Sequence, residues 1–236
     1  DLFLTQLLAL KERICREDKM TKEVNLKRRS WTIIILSALL LLIDQVVKIL
    51  IKTNMTIGQS FDVFGDWFKI LFVENEGMAF GMAFGGEVGK FLLTSFRIIL
   101  VIALIYYIVK LLKRSDVKMG VIVGFSLIMV GALGNIIDSF FYGVLFSEST
   151  YTSVAQFLPE GGGYAPLFHG KVVDMLYFPL IDTTFPEWIP FIGGKAFRFF
   201  QPIFNIADSC ITCGAFYLLL FQSKFFMQDK KEKEVE

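Results

Sequence analysis

Histidine is nearly missing from this 236-residue chain, which has only His169. A metallopeptidase site of the H-E-x-x-H kind needs two histidines on one helix face, so that chemistry is excluded. His169 itself reads as an outer-loop surface residue, and no metal or other cofactor is expected. Cysteine is scarce as well, with three residues. Cys15 sits in a charged stretch. Cys210 and Cys213 fall in an apolar run with C-x-x-C spacing, but the two further ligands that zinc takes are not nearby, so helix packing is their expected role. A surplus of charge is also lacking. The net is +1, from 24 Lys and Arg against 23 Asp and Glu, so the placement of charge matters more than its sum, and no nucleic-acid partner is expected. There is no internal repeat and no low-complexity tract.

What the chain does have is apolar bulk. Apolar residues make up 54%, 26 of the residues are Phe, and mean hydropathy is +0.57, greasier than a soluble domain of this length. A helix crosses a bilayer with about 20 mostly apolar residues. Four segments qualify: about Trp31 to Ile51, Phe91 to Leu112, Met119 to Val144, and Phe199 to Phe221. The run after Arg29 is too long for a signal-peptide core and has no small-residue cleavage pattern, so it reads as a retained span. The expected fold is an all-α membrane protein of four spans. Residues 1–30 form a cytoplasmic N-terminal segment, 31–221 the functional domain and 222–236 a charged cytoplasmic tail. Met20 with Thr21, Lys22 and Glu23 looks like a natural start, so residues 1–19 are expected to be a non-native extension.

Basic residues orient the spans. Lys27, Arg28 and Arg29 precede the first. Lys110, Lys113, Arg114 and Lys118 occupy the short connection between the second and third, and Lys224, Lys230, Lys231 and Lys233 follow the fourth. The long connections, 52–90 and 145–198, carry acids beside few bases. The positive-inside rule therefore places both termini in the cytoplasm and both long loops outside. Phe61 to Val73 alternates enough for a strand or hairpin, and Lys171 to Tyr177 is a second strand, giving a small β-rich outer cover.

Ionisable groups within spans cost roughly 2.5–3.5 kcal/mol each on insertion scales, so each asks for a reason. With this orientation, Asp44 and Lys48 lie near the outer end of the first span, four apart and on one face. Arg97 lies two turns into the second, suited either to headgroups or to an acid partner. Asn135 and Asp138 lie near the outer end of the third, and Asn205 and Asp208 two turns into the fourth. All four helices bring polar residues to one outer level. Asp44 with Lys48 reads most simply as an internal ion pair fixing helix packing, and Asn135 and Asn205 can each bridge helices. Gly131 and Gly134 suit close packing of the third helix. A packing role does not account for Asp208, which has no basic neighbour in its own helix.

Five local patterns run in order along the chain. They are Asp44-Gln45-Val46-Val47-Lys48, Asn75-Glu76-Gly77-Met78-Ala79-Phe80-Gly81, Gly131 through Asp138, Val172-Val173-Asp174, and Phe204-Asn205-Ile206-Ala207-Asp208-Ser209. Over about Trp31 to Phe221 they resemble the bacterial lipoprotein signal peptidases (signal peptidase II). The resemblance implies a membrane aspartic endopeptidase that cuts diacylglyceryl-modified prolipoproteins just before the lipidated cysteine. It implies a catalytic pair of Asp174 and Asp208, with Asn75, Gly77, Asn135, Asp138 and Asn205 around the substrate and the pair. It also implies the bacterial cytoplasmic membrane as location, with diacylated prolipoproteins and membrane lipids as partners; a monomer is expected. The chemistry suits the residues independently, because two carboxylates sharing one proton can both activate water and protonate a leaving nitrogen.

Two features depart from the family pattern. Ser139 stands where an Arg usually follows the third-span Asp, so Arg97, Lys171 or Arg198 is expected to supply the missing charge. The links around Asp174 are also lengthened, by about Ser147 to Phe168 and Leu180 to Arg198, which read as an enlarged outer cover or lid. The alternative from another class is an ion- or proton-coupled transporter, which would spread polar residues through the whole membrane depth. Here the inner halves of the spans carry almost none.

Overall fold

The computed structural model describes residues 2–76, 86–199 and 202–227. Helix α1, Leu2–Asn54, is a single 53-residue element. No glycine or proline interrupts it, so nothing in the backbone breaks the helix between the charged N-terminal stretch and the first span. The chain then turns at Gly58, whose φ of 78° favours glycine. It enters a hairpin of β1, Ser60–Phe64, and β2, Phe68–Asn75. Helix α2 covers Gly86–Lys113 and α3 Met119–Ile137. A π-helical turn, Asp138–Tyr142, and the short α4, Gly143–Leu145, extend α3. Strand β3, Val172–Tyr177, a second hairpin of β4, Ile181–Thr184, and β5, Ala196–Phe199, and the short β6, Ile203–Phe204, precede α5, Ile206–Phe221.

Three helical stretches are long and apolar enough to cross a membrane: Lys19–Asn54, Val88–Lys113 and Met119–Leu145. Their outward faces expose Leu39, Leu42, Leu50, Ile99, Ile102 and Tyr106. A soluble protein would bury such a surface, whereas hydrocarbon solvates it. The fourth expected segment differs in its start. Its helix begins at Ile206 and not near Phe199, because Phe199 closes β5, Pro202 disfavours helix before it, and Asn205 is the N-cap. At 16 residues α5 is shorter than the about 20 that a crossing takes.

Close approach of α3 and α5 is set by small residues. A Cβ on Gly131 would lie 2.1 Å from the Ala207 carbonyl oxygen, and one on Gly124 would meet the Leu218 side chain at 2.6 Å. Packing of this kind joins helices where water provides no drive. One apolar cluster, including Ile33, Ile108, Leu111, Val121, Ile122 and Leu218, fills the space between helices at the α1 N-terminal side of the bundle. The other, including Met55, Phe72, Tyr142, Phe146, Val173 and Met175, fills the opposite end beneath the sheet.

The four-stranded antiparallel sheet runs in the order β1-β2-β3-β6. Both strands expected from alternation are therefore present, at Phe61 to Val73 as a hairpin and at Lys171 to Tyr177 as β3. In its central pair Val73 lies opposite Asp174, Glu74 opposite Val173 and Asn75 opposite Val172. The segment 147–168 is bound to the body, not loose. Backbone bonds run from Leu158 N to Leu145 O (2.8 Å), Tyr164 N to Phe146 O (3.0 Å) and Ala165 N to Gly143 O (3.0 Å).

Candidate active site

Asp174 is placed by β3 and is buried. Asp208 is placed by the first turn of α5 and is half-buried. Asn205 connects them. Its Nδ2 donates to Asp174 Oδ1 at 2.7 Å, while its Oδ1 accepts from the Asp208 backbone N–H at 2.9 Å. The Asp208 carboxylate completes a capping box by accepting the Asn205 backbone N–H at 3.3 Å. A second route runs through α3: Asn205 Nδ2 also donates to Asn135 Oδ1 at 3.1 Å, and Asn135 Nδ2 donates to Asp208 Oδ1 at 2.7 Å. From the sheet, Asn75 Nδ2 donates to Asp174 Oδ2 at 3.3 Å. Asn75 shares the face of Asp174 because it lies two residues beyond Val73, the residue opposite Asp174.

Burial raises the proton affinity of the Asp174 carboxyl, and the nearby Asp208 charge adds to the effect, bringing it up to about 7. The amide donors of Asn75 and Asn205 and the charge of Lys48 act in the opposite direction. A carboxyl poised there can hold or release a proton at neutral pH.

Beneath this pair lies a charged layer. Lys48 Nζ is fully buried and sits 2.7 Å from Asp138 Oδ2, 3.1 Å from Asp44 Oδ2 and 3.0 Å from Asn135 Oδ1. The expected Asp44–Lys48 pair is therefore present, and Lys48 serves two carboxylates at once. Asp138 also accepts from Gln45 Nε2 at 3.0 Å and from the Val173 backbone N–H at 3.3 Å, which ties β3 to α3 one residue before Asp174. Asp44 Oδ1 accepts the Ala207 N–H at 2.8 Å, fixing the start of α5 one residue before Asp208. The positive charge beside Asp138 thus comes from Lys48. Of the residues expected to supply charge, Arg97 on α2 is half-buried and interacts electrostatically with Asp208, whereas Lys171 lies near Glu74 and Glu148.

Two features of the site were not anticipated from the sequence. Gln45 reaches Asp44, Asp138 and the Gly134 carbonyl, and accepts from the Tyr142 hydroxyl at 3.1 Å. Its position beside Asp44 was the available signal. The π turn carries both Asp138 and Tyr142, and nothing in the apolar periodicity marks it. Asn75, Asn135, Asp138, Asn205, Asp44 and Lys48 all join this network, and Gly77 lies outside the described residues. Cys210 is buried and Cys213 exposed, both as free thiols.

A family model described as signal peptidase (SPase) II matches residues 36–224. The chain belongs to the signal peptidase II family. Within that family it is similar to a lipoprotein signal peptidase of Porphyromonas gingivalis, 51% identical over 185 residues, which are 78% of this chain and 80% of the relative. A lipoprotein signal peptidase of Amoebophilus asiaticus is 36% identical over 217 residues, 91% of this chain and 85% of that protein. One from Staphylococcus aureus is 31% identical over 205 residues, 87% and 95% of the two chains. Among solved structures, a bacterial membrane enzyme determined by the in meso method at 2.3 Å resolution matches at 28% identity with a TM-score of 0.51, over 82% of this chain and 88% of that one. Membership of signal peptidase II makes this chain a protease embedded in a membrane.

Proposed function

We propose that this signal peptidase II is an aspartic endopeptidase that removes signal peptides from diacylglyceryl-modified prolipoproteins, cutting before the lipidated cysteine. The observation that carries the proposal is the single Asn205 side chain holding both Asp174 and Asp208. The pair carries one shared proton, because two neighbouring carboxylates cannot both ionise cheaply. The ionised member takes a proton from a water whose oxygen attacks the scissile carbonyl carbon. The protonated member gives its proton to the departing nitrogen as the C–N bond breaks, leaving a carboxylate on the signal peptide and an amine on the lipidated cysteine. Asn75, beside Asp174 at the end of β2, is suited to hold the substrate backbone.

The setting follows from charge and length. Helix α5 is the fourth span, its 16 residues packed along α3, which is itself long enough to cross. Basic residues at the other end of the bundle support a position of the sheet and the pair at the outer face of the bacterial cytoplasmic membrane. There acyl chains stay in the bilayer while the peptide is gripped at the surface. The protein works as a monomer.

The test is cleavage by purified protein in detergent of a diacylated prolipoprotein and its unlipidated twin. Cutting of the lipidated form alone, abolished by Asp174→Asn and by Asp208→Asn, is the expected result. Cleavage that survives either substitution removes the dyad.

A further inference from the structure

On the sheet face opposite Asp174 lies a second buried charged group that the proposed reaction does not use. Lys52, in the last turn of α1, and Glu74, in β2, form an ion pair with both side chains essentially out of solvent. Ser149, from the lengthened segment 147–168, donates to Glu74 Oε1 at 2.8 Å and accepts from Lys52 Nζ at 2.9 Å. The Lys52 ammonium also stands over the rings of Phe146 at 5.5 Å and Tyr164 at 5.0 Å. Lys171 Nζ is 3.9 Å from Glu74 Oε2, an oxygen that makes no hydrogen bond among the described residues. Lys171 also covers the Tyr164 ring, whose hydroxyl accepts the Lys171 backbone N–H at 2.6 Å. Charges are costly to bury unless geometry and hydrogen bonds offset desolvation, so such a cluster specifies position more than it adds stability.

The position specified is that of Asn75. The register between β2 and β3 is irregular between Ile70 and Val73, which leaves Val73, Glu74 and Asn75 as a three-residue run beside Val172, Val173 and Asp174. Glu74 is the middle residue of that run. Its side chain points away from the carboxylate pair into the cluster, and the next residue presents its amide to Asp174. We infer that the Lys52–Glu74–Ser149 cluster is a positioning device for the reaction: Glu74 fixes the end of β2 so that Asn75 keeps its hydrogen bond to Asp174. The lengthened segment is therefore an anchor that supplies Ser149 and Tyr164 from behind the site. This inference rests on the dyad proposed above.

The sequence signals were Lys52 four residues beyond Lys48 and an acid within the apolar strand before Asn75; pairing them required the fold.

The experiment compares Glu74→Gln, Ser149→Ala and the neutral double variant Lys52→Met/Glu74→Gln in the cleavage assay, with thermal melting and a full pH–rate profile for each. Displacement of a reacting group by a fraction of an ångström to 1 Å costs roughly tenfold to a hundredfold in rate. The expected result is a kcat loss of that size in Glu74→Gln with KM within about twofold of wild type. Weakening the Asn75 donor also moves the Asp174 titration to higher pH. The groups that face Asp174 (Asn75, Asn205, Asp208 and Lys48) are unchanged in every variant. Ser149→Ala moves kcat and the profile in the same direction by less. The double variant leaves no buried charge unpaired, so its melting temperature recovers while kcat and the displaced profile do not. Recovery of kcat and profile together with melting would reduce the cluster to a packing element and overturn the inference. Wild-type kcat and profile in Glu74→Gln overturn it as well. If Asp174→Asn or Asp208→Asn is active, the dyad itself fails and the inference goes with it. If both are inactive while the cluster variants match wild type, only the inference fails.

Discussion

Asp174 is a carboxylic acid that its surroundings favour in the neutral form, and that has consequences for rate and for stability. Its ordinary value is 3.8, and burial with the Asp208 charge lifts it to about 7. Under the proposed dyad, kcat/KM changes through a group titrating near pH 7, and Asn75→Ala, which removes a donor favouring the ionised form, moves that limb upward. The sign for folding is opposite to that of a salt-bridged carboxylate. A raised value in the folded state means a contribution that is complete below about pH 4 and lost as pH rises through about 7. Asp174→Asn, always neutral, is therefore expected to melt above wild type at pH 8. The gain is up to about 4 kcal/mol, less about 1 kcal/mol for a lost acceptor, and it disappears toward pH 4. Calorimetry in detergent at both pH values checks it. Lys48 carries a large structural demand in the site, since its ammonium is the charge that pairs with both Asp44 and Asp138. Lys48→Met strands two buried carboxylates and should cost about 3–5 kcal/mol, read as a fall in melting temperature. The sequence placed Lys48 beside Asp44 from the i,i+4 spacing, but its bond to Asp138 spans helices and no local pattern encodes it.

Among the elements, the contact of α3 with α5 sets the site more than any strand does. Gly131 faces the Ala207 backbone, and Gly134 faces Asp44 and Ala207. A methyl at Gly131 drives α5 away, and with it the 2.7 Å bond from Asn135 to Asp208. Gly131→Ala is expected to lose most activity and about 1–3 kcal/mol of stability. Gly161→Ala, where a Cβ meets nothing within 4 Å, should change neither. Glycine spacing on an apolar helix was legible as close packing, and the strands showed in their alternation. The start of α5 was not. Apolar residues stand on both sides of the boundary, Phe199, Phe200, Ile203 and Phe204 before it and Ile206 and Ala207 after it, and its place depends on Pro202 and on the capping choice of Asn205, which averaged hydropathy does not register. The π turn escaped for a related reason: one extra residue in a helix that is apolar on most sides leaves no trace in a periodicity.

At the scale of the molecule, the expected orientation can be tested by thiol labelling. With native cysteines replaced, Ser153→Cys lies on the exposed part of the outer segment and Lys118→Cys on the exposed turn between α2 and α3. A membrane-impermeant maleimide added to intact cells should label the first, and the second only after permeabilisation; the reverse pattern inverts the topology. Spans one to three were readable because about 20 apolar residues have few other uses. The role proposed for segment 147–168 was not, because Ser149, Tyr164 and Glu74 meet only after α1, β2 and this segment have converged. Asn205 both begins the final helix and grips the acid on β3. Under the proposed dyad and fourth span, a newly made copy whose last hydrophobic stretch is still unthreaded lacks that grip and has no assembled cutting edge. The membrane is thereby spared a protease that is active before it is fully inserted.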